Sequence, residues 1–210
     1  MSNIPQGIRR KNMKKTVSLI LAVIMIAATF ASCTGPNADM TEENITATVD
    51  TAFTALVEFD TETLTKYVDS STLNVIIGYA EDHEQFAQLG KEIFANLTYE
   101  IKSIDTENKT VTVSVKNKDL YLTAQAFTVQ LTQKYSTLQL LNLLKSDAWL
   151  DNNLSELTAD IAEAKMLEES TDITLTIDDS GKNLVLGFDE NAENGVSGGA
   201  LAAIKETIGV

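Results

Sequence analysis

Cysteine occurs once in 210 residues, histidine once, tryptophan once and proline twice. One Cys excludes an intrachain disulfide, and with one His it excludes a Cys/His metal cluster and leaves few groups that titrate near neutrality. Arginine is confined to Arg9 and Arg10. Every later basic side chain is Lys, so no guanidinium fork is available for bidentate recognition of phosphate or carboxylate. After residue 32, eleven Lys face thirty acidic residues, a net charge of −19. Such a surface repels polyanions and excludes nucleic acid as a partner. Long apolar runs are lacking as well: Val17 to Ala31 has 15 residues, against about 20 for a transmembrane helix.

That run follows Lys14 and Lys15 and ends in Phe30-Ala31-Ser32-Cys33. The ending resembles the lipobox of bacterial lipoproteins, with Phe where Leu is more usual. The resemblance implies a signal peptide over 1–32, lipidation of Cys33, and a protein held on the outer face of the bacterial cytoplasmic membrane. A thioether-linked diglyceride carries more than the single chain that anchors only marginally. The plainer alternative is a secretory signal cut after a small residue. Asn12-Met13-Lys14-Lys15 suggests a start at Met13, with residues 1–12 an artefact of an upstream start. Four Asn-x-Ser/Thr sequons, at Asn44, Asn96, Asn108 and Asn153, read as chance in a bacterial setting.

Residues 33–41 read as a polar tether and 42–210 as one domain, long enough to bury its own core. Ile45, Val49, Ala52, Phe53 and Leu56 recur at helical spacing behind Asp39 or Thr41 as a cap. Asp60 opens a short helix with Leu64 and Tyr67; Leu73, Ile76, Ile77 and Ala80 mark a third, and Phe86, Leu89, Ile93 and Leu97 a fourth. The period then changes to two. Tyr99 and Ile101, then Val111, Val113 and Val115, predict a hairpin turning over 105–109. A long helix is expected from Asp119 to Leu144, with 146–152 as the loop of a helical hairpin and Asn153-Leu154-Ser155-Glu156 as the capping box of its second arm. Ile173, Leu175 and Ile177 with Leu184, Leu186 and Phe188 predict a second hairpin, and 200–208 a closing helix.

This order is α+β, an antiparallel sheet split in sequence by a helical insertion. Leu97-Thr98-Tyr99-Glu100-Ile101, Thr110 to Val115, Lys118-Asp119-Leu120 and Gly198-Gly199-Ala200-Leu201 resemble the NTF2-like domains, cystatin-like in outline, of small Gram-positive lipoproteins. The resemblance covers about residues 42 to 208. It implies a cone, a curved sheet wrapped on N-terminal helices, and most such domains have no assigned function. Where related chains often carry Trp-Lys-Ile in the last strand, this one has Asn183-Leu184-Val185-Leu186.

Gly195-Val196-Ser197-Gly198-Gly199 fits the nucleophile-elbow pattern, but the only His, His83, lies far upstream, and a turn before the last helix is the simpler reading. Asp189, Asn191 and Glu193 space oxygen ligands like a calcium loop whose glycine and final glutamate are missing; weak calcium binding and a solvated acidic turn both stay open. His83, between Asp82 and Glu84, is expected at an exposed helix start. Phe53, Tyr67, Phe94 and Tyr99, with Tyr79, are candidates to line an NTF2-like pocket, or plain core. No catalytic, metal or cofactor residues are assigned.

The favoured function is a lipid-anchored, non-enzymatic domain that binds a small apolar ligand or a membrane-proximal partner. The alternative is an isomerase or hydratase of NTF2-like type, with a pocket carboxylate and a Tyr as acid and base. A transporter solute receptor is disfavoured by length. Pocket chemistry separates them: a buried carboxylate in the pocket favours an enzyme, a dry apolar pocket a binder, a filled core an interaction protein.

Overall fold

The computed structural model describes residues 38–208. Residues 1–37, which include Cys33, the expected signal peptide over 1–32 and the start of the expected tether, lie outside the described residues. Residues 36–210 form one compact unit, whose core runs from Ile45 to Ala203. The unit therefore holds a complete core of its own and can fold as a separate domain.

Helix α1 (Glu42–Glu58) is capped by Thr41, whose Oγ1 accepts from Asn44 N at 3.2 Å, and ends where Phe59 turns left-handed at φ 52°. Its stripe of Ile45, Val49, Ala52, Phe53 and Leu56 is buried. Ala38 and Met40 also pack on the core, so packing begins inside the segment read as a tether. Asp60 caps α2 (Thr61–Tyr67). Strand β1 (Val68–Ser70) then leads into α3 (Ser71–Asp82), and only His83 separates α3 from α4 (Glu84–Phe94). Hairpin β2 (Thr98–Asp105) and β3 (Thr110–Lys116) follows. Its turn is fixed by Asp105, whose Oδ1 accepts from the amides of Glu107 and Asn108. A bulge at Lys102 shifts the register, so that Ile104 as well as Ile101 faces the core.

Three helices separate this hairpin from the next: α5 (Tyr121–Lys134), α6 (Thr137–Leu143) and α7 (Asp147–Glu163). Strands β4 (Thr171–Asp178) and β5 (Val185–Phe188) precede α8 (Glu190–Ser197) and α9 (Ala200–Ile208). The sheet order is β1-β5-β4-β3-β2. Helices α1 and α8 lie on its apolar face, α4 packs on α1, α7 on α4, and α5 on α9. Among the described residues no helix is long and apolar enough to cross a membrane.

The α+β class and the helical insertion between two hairpins are present. Four details differ from expectation. The sheet is mixed, because the unforeseen β1 pairs in parallel with β5. The long helix breaks at Ser136, which exchanges hydrogen bonds with Gln139 in a capping box and starts α6. Asp119 caps nothing; Leu120 occupies the N-cap of α5 without a side-chain bond. Residues 147–152 are helix, and the apparent box at Asn153 sits mid-helix: Asn153 Nδ2 and Ser155 Oγ donate back to the carbonyls of Trp149 and Asp151.

Candidate apolar ligand site

The sheet's apolar face is consumed by the core. Val111, Val113, Val115, Ile173, Leu175 and Ile177 are all buried, and no strand residue lines the most apolar cavity of the described residues. That cavity, about 340 Å³, lies among helices. Helix α3 contributes Val75, Ile76 and Tyr79, α4 Phe86 and Leu89, and α7 Trp149, Leu154 and Leu157. From above, α5 adds Phe127 and Leu131, α6 adds Leu140 and Leu141, and α9 adds Ile204. Val75 and Leu141, 48% and 42% exposed, form the rim.

The polar groups in this lining are few. Ser71 and Thr72 stand at the start of α3, with Thr128, Thr137 and the lone ionic group, Lys205. Lys205 pairs loosely with Glu190 at 3.8 Å. Seven residues of helix, about 10 Å, separate Thr72 from the aromatic end, where Tyr79 and Phe86 stack at 5.1 Å. Trp149 also lines the cavity, and its Nε1 is buried without an acceptor in hydrogen-bond geometry. The indole meets Tyr135 edge to face at 6.1 Å.

Why does a cavity survive here? Helix α5 packs densely on α9 and only lightly on α7, while α6 packs densely on nothing and buries no residue. The two bridge an apolar trough whose floor is α3, α4 and α7 instead of closing it. The floor is held by polar clamps at its edge: His83 Nδ1 meets Asp147 Oδ1 at 2.8 Å, and Gln85 Nε2 donates to Asp151. A second, more polar hollow of about 540 Å³ lies between α5 and α7, with Lys134, Glu156, Asp160 and Glu163 on its wall.

Of the aromatics proposed for a pocket, only Tyr79 lines this one. Phe53 and Phe94 are fully buried in the core, and Tyr67 nearly so. Tyr99 stacks on Phe53 at 4.6 Å and donates its hydroxyl to Asp50 Oδ1 at 2.8 Å. Of the other aromatics that line it, Phe86 and Phe127 sit on helical stripes that read as ordinary core, and Trp149 lies in the stretch that reads as a loop.

The other candidates are drawn apart. Asp189 caps α8, accepting from Ala192 N. Asn191 faces solvent. Glu193 turns inward, 3% exposed, where it accepts from Ser70 Oγ (2.5 Å), Thr72 N (2.9 Å) and Thr72 Oγ1 (2.7 Å). One helix turn thus sends the three calcium candidates in different directions, and Glu193 instead ties α8 to the start of α3. Ser197 is fully buried, its Oγ accepting from Leu201 N at 3.1 Å, so no nucleophile is presented. Gly198 takes φ 57°, and a Cβ there would overlap the Lys118 carbonyl oxygen. His83 is paired and 15% exposed, where an exposed position was expected. Among the described residues no group of three His, Cys, Asp or Glu could hold a metal ion.

Compared with known proteins, the chain matches no family model, no curated protein and no solved structure.

Proposed function

We propose that this protein is a lipid-anchored, extracytoplasmic binding domain of NTF2-like type that holds a small apolar ligand in the cavity beneath α5 and α6. One observation carries the reading: the cavity's lining is mostly apolar and includes no carboxylate. A volume of about 340 Å³ suits a small-molecule site. The isomerase or hydratase alternative needs a carboxylate beside its Tyr, and Tyr79 has none in the lining; the buried Glu193 is committed to Ser70 and Thr72. Helices before a one-sided sheet, with a helical insert between its hairpins, support the NTF2-like resemblance. The anchor rests on Cys33 and the run before it.

The test uses residues 36–210 and the chain's single Trp. Straight-chain fatty acids of increasing length are titrated against Trp149 emission. Affinity should rise about fourfold per methylene until the cavity is full and then level off. Leu140→Gln, on the loosely packed α6, should weaken binding severalfold while the fold persists, whereas Tyr99→Phe should leave it unchanged. The absence of saturable binding, or binding indifferent to Leu140, refutes the reading.

A further inference from the structure

We infer that the outer face of α5–α6 docks on the lipid surface of a membrane, and that the cavity is loaded through this contact. Charge is the first observation. Between Asp119 and Asp147 lie 27 residues without one Asp or Glu, in a chain holding thirty, and they carry Lys134 and Lys145. This stretch is α5, α6 and their joints.

Exposure is the second. Six large hydrophobic side chains are markedly exposed among the described residues, and four belong to this segment: Leu122 (68%), Val129 (45%), Leu138 (71%) and Leu141 (42%). Leu122 and Val129 are two turns apart on one face of α5, and Leu138 and Leu141 one turn apart on α6. The inward faces of the same helices line the cavity through Phe127, Leu131 and Leu140. The segment is thus apolar towards the cavity and carries apolar side chains towards solvent.

A lipid surface fits this face better than a protein does. The segment itself carries Lys134 and Lys145 and no carboxylate, the sign that an anionic lipid surface attracts, while Glu156, Asp160 and Glu163 stand on α7 across the hollow that Leu122 and Lys134 line. A second copy would bring its own acidic surroundings to the contact, so like charges would face each other around it. At the joint of α5 and α6, Tyr135 is an aromatic with a polar tip, a residue type that settles at bilayer interfaces. The purpose of docking rests on the cavity reading, since an apolar ligand resides in lipid and must leave it without crossing water.

The experiment floats residues 36–210 with vesicles of phosphatidylcholine, alone or mixed with phosphatidylglycerol. The domain should float with both and more strongly with the anionic mixture. Leu122→Glu with Leu138→Glu changes two mostly exposed side chains, so the melting temperature should hold while vesicle affinity falls roughly tenfold or more. Fatty-acid binding by Trp149 emission should persist in that variant, which separates this inference from the cavity reading. It is overturned if the domain stays unbound with both vesicles, or if the double variant floats as well as the parent. Self-association abolished by the two substitutions, without flotation, also overturns it and assigns the face to a second copy.

Discussion

At the end of β3 two adjacent side chains close three helices. Asn117 Nδ2 donates to the carbonyls of Ile93 in α4 and Val196 in α8, at 2.9 and 2.7 Å. Lys118 Nζ donates to those of Ile161 and Ala162 in α7 and pairs with Glu92 at 3.0 Å. Carbonyls at helix ends have no partner within their own helix, so buried ones must be met by side chains. Asn117→Ala removes both donor bonds and should cost about 2–4 kcal/mol in urea unfolding. Glu193→Ala leaves the Ser70 and Thr72 donors without their acceptor and should destabilise by a similar amount, while Glu193→Gln costs less. Because Glu193 faces inward, added calcium should leave the melting temperature where it was. Tyr99 gives a pH signature: burial, then its bond to Asp50, raises the phenol above its ordinary value. A folded-state pKa above the unfolded one makes a contribution present in full below pH about 10 and lost as pH rises through and beyond it. Thermal melts from pH 8 upward should show this alkaline loss, and Tyr99→Phe should make it shallower; an identical slope in both proteins would refute the assignment.

For the elements, legibility followed the range of the signal. The stripes of α1, α3, α4 and both hairpins were readable, because burial of one face imposes a period of 3.6 or 2 on a whole segment. The break at Ser136 is legible in the residues, since Ser136-Thr137-Leu138-Gln139 is itself a capping-box pattern. Its counterpart at Asn153 misled, since the same residue types back-bond to the preceding turn inside α7. Strand β1 is three residues long, too short for any period to show. Helix α6 buries nothing, so its amides should exchange with solvent orders of magnitude faster than those of α4 in native-state hydrogen exchange. Saturating fatty acid should slow α6 selectively. Uniform protection of α4 and α6 would contradict its role as a loosely held cover.

For the whole molecule, a lipid on Cys33 would hold the domain on a short leash: Ala38, where packing begins, is five residues further along the chain, a reach of about 18 Å at most. Cys33→Ala in the full chain should move the protein from the membrane fraction to unprocessed precursor or medium. If the substituted protein matures and remains bound, lipidation is wrong, although the α5–α6 contact could then hold it, which flotation of the Leu122/Leu138 variant separates. By itself the sequence determined the net charge, the helical and strand stripes, and the lone Cys at the foot of a short apolar run. Each is a property of neighbouring residues or of totals. Only the tertiary structure decided that β1 lies parallel beside β5, that Glu193 meets Ser70 across 123 residues, and that Phe86, Phe127 and Trp149 line a cavity while Phe53 and Phe94 fill the core. A helical stripe has the same period whether the partner facing it packs tightly or stands off, so the space left between α5–α6 and the helices beneath has no trace in local pattern.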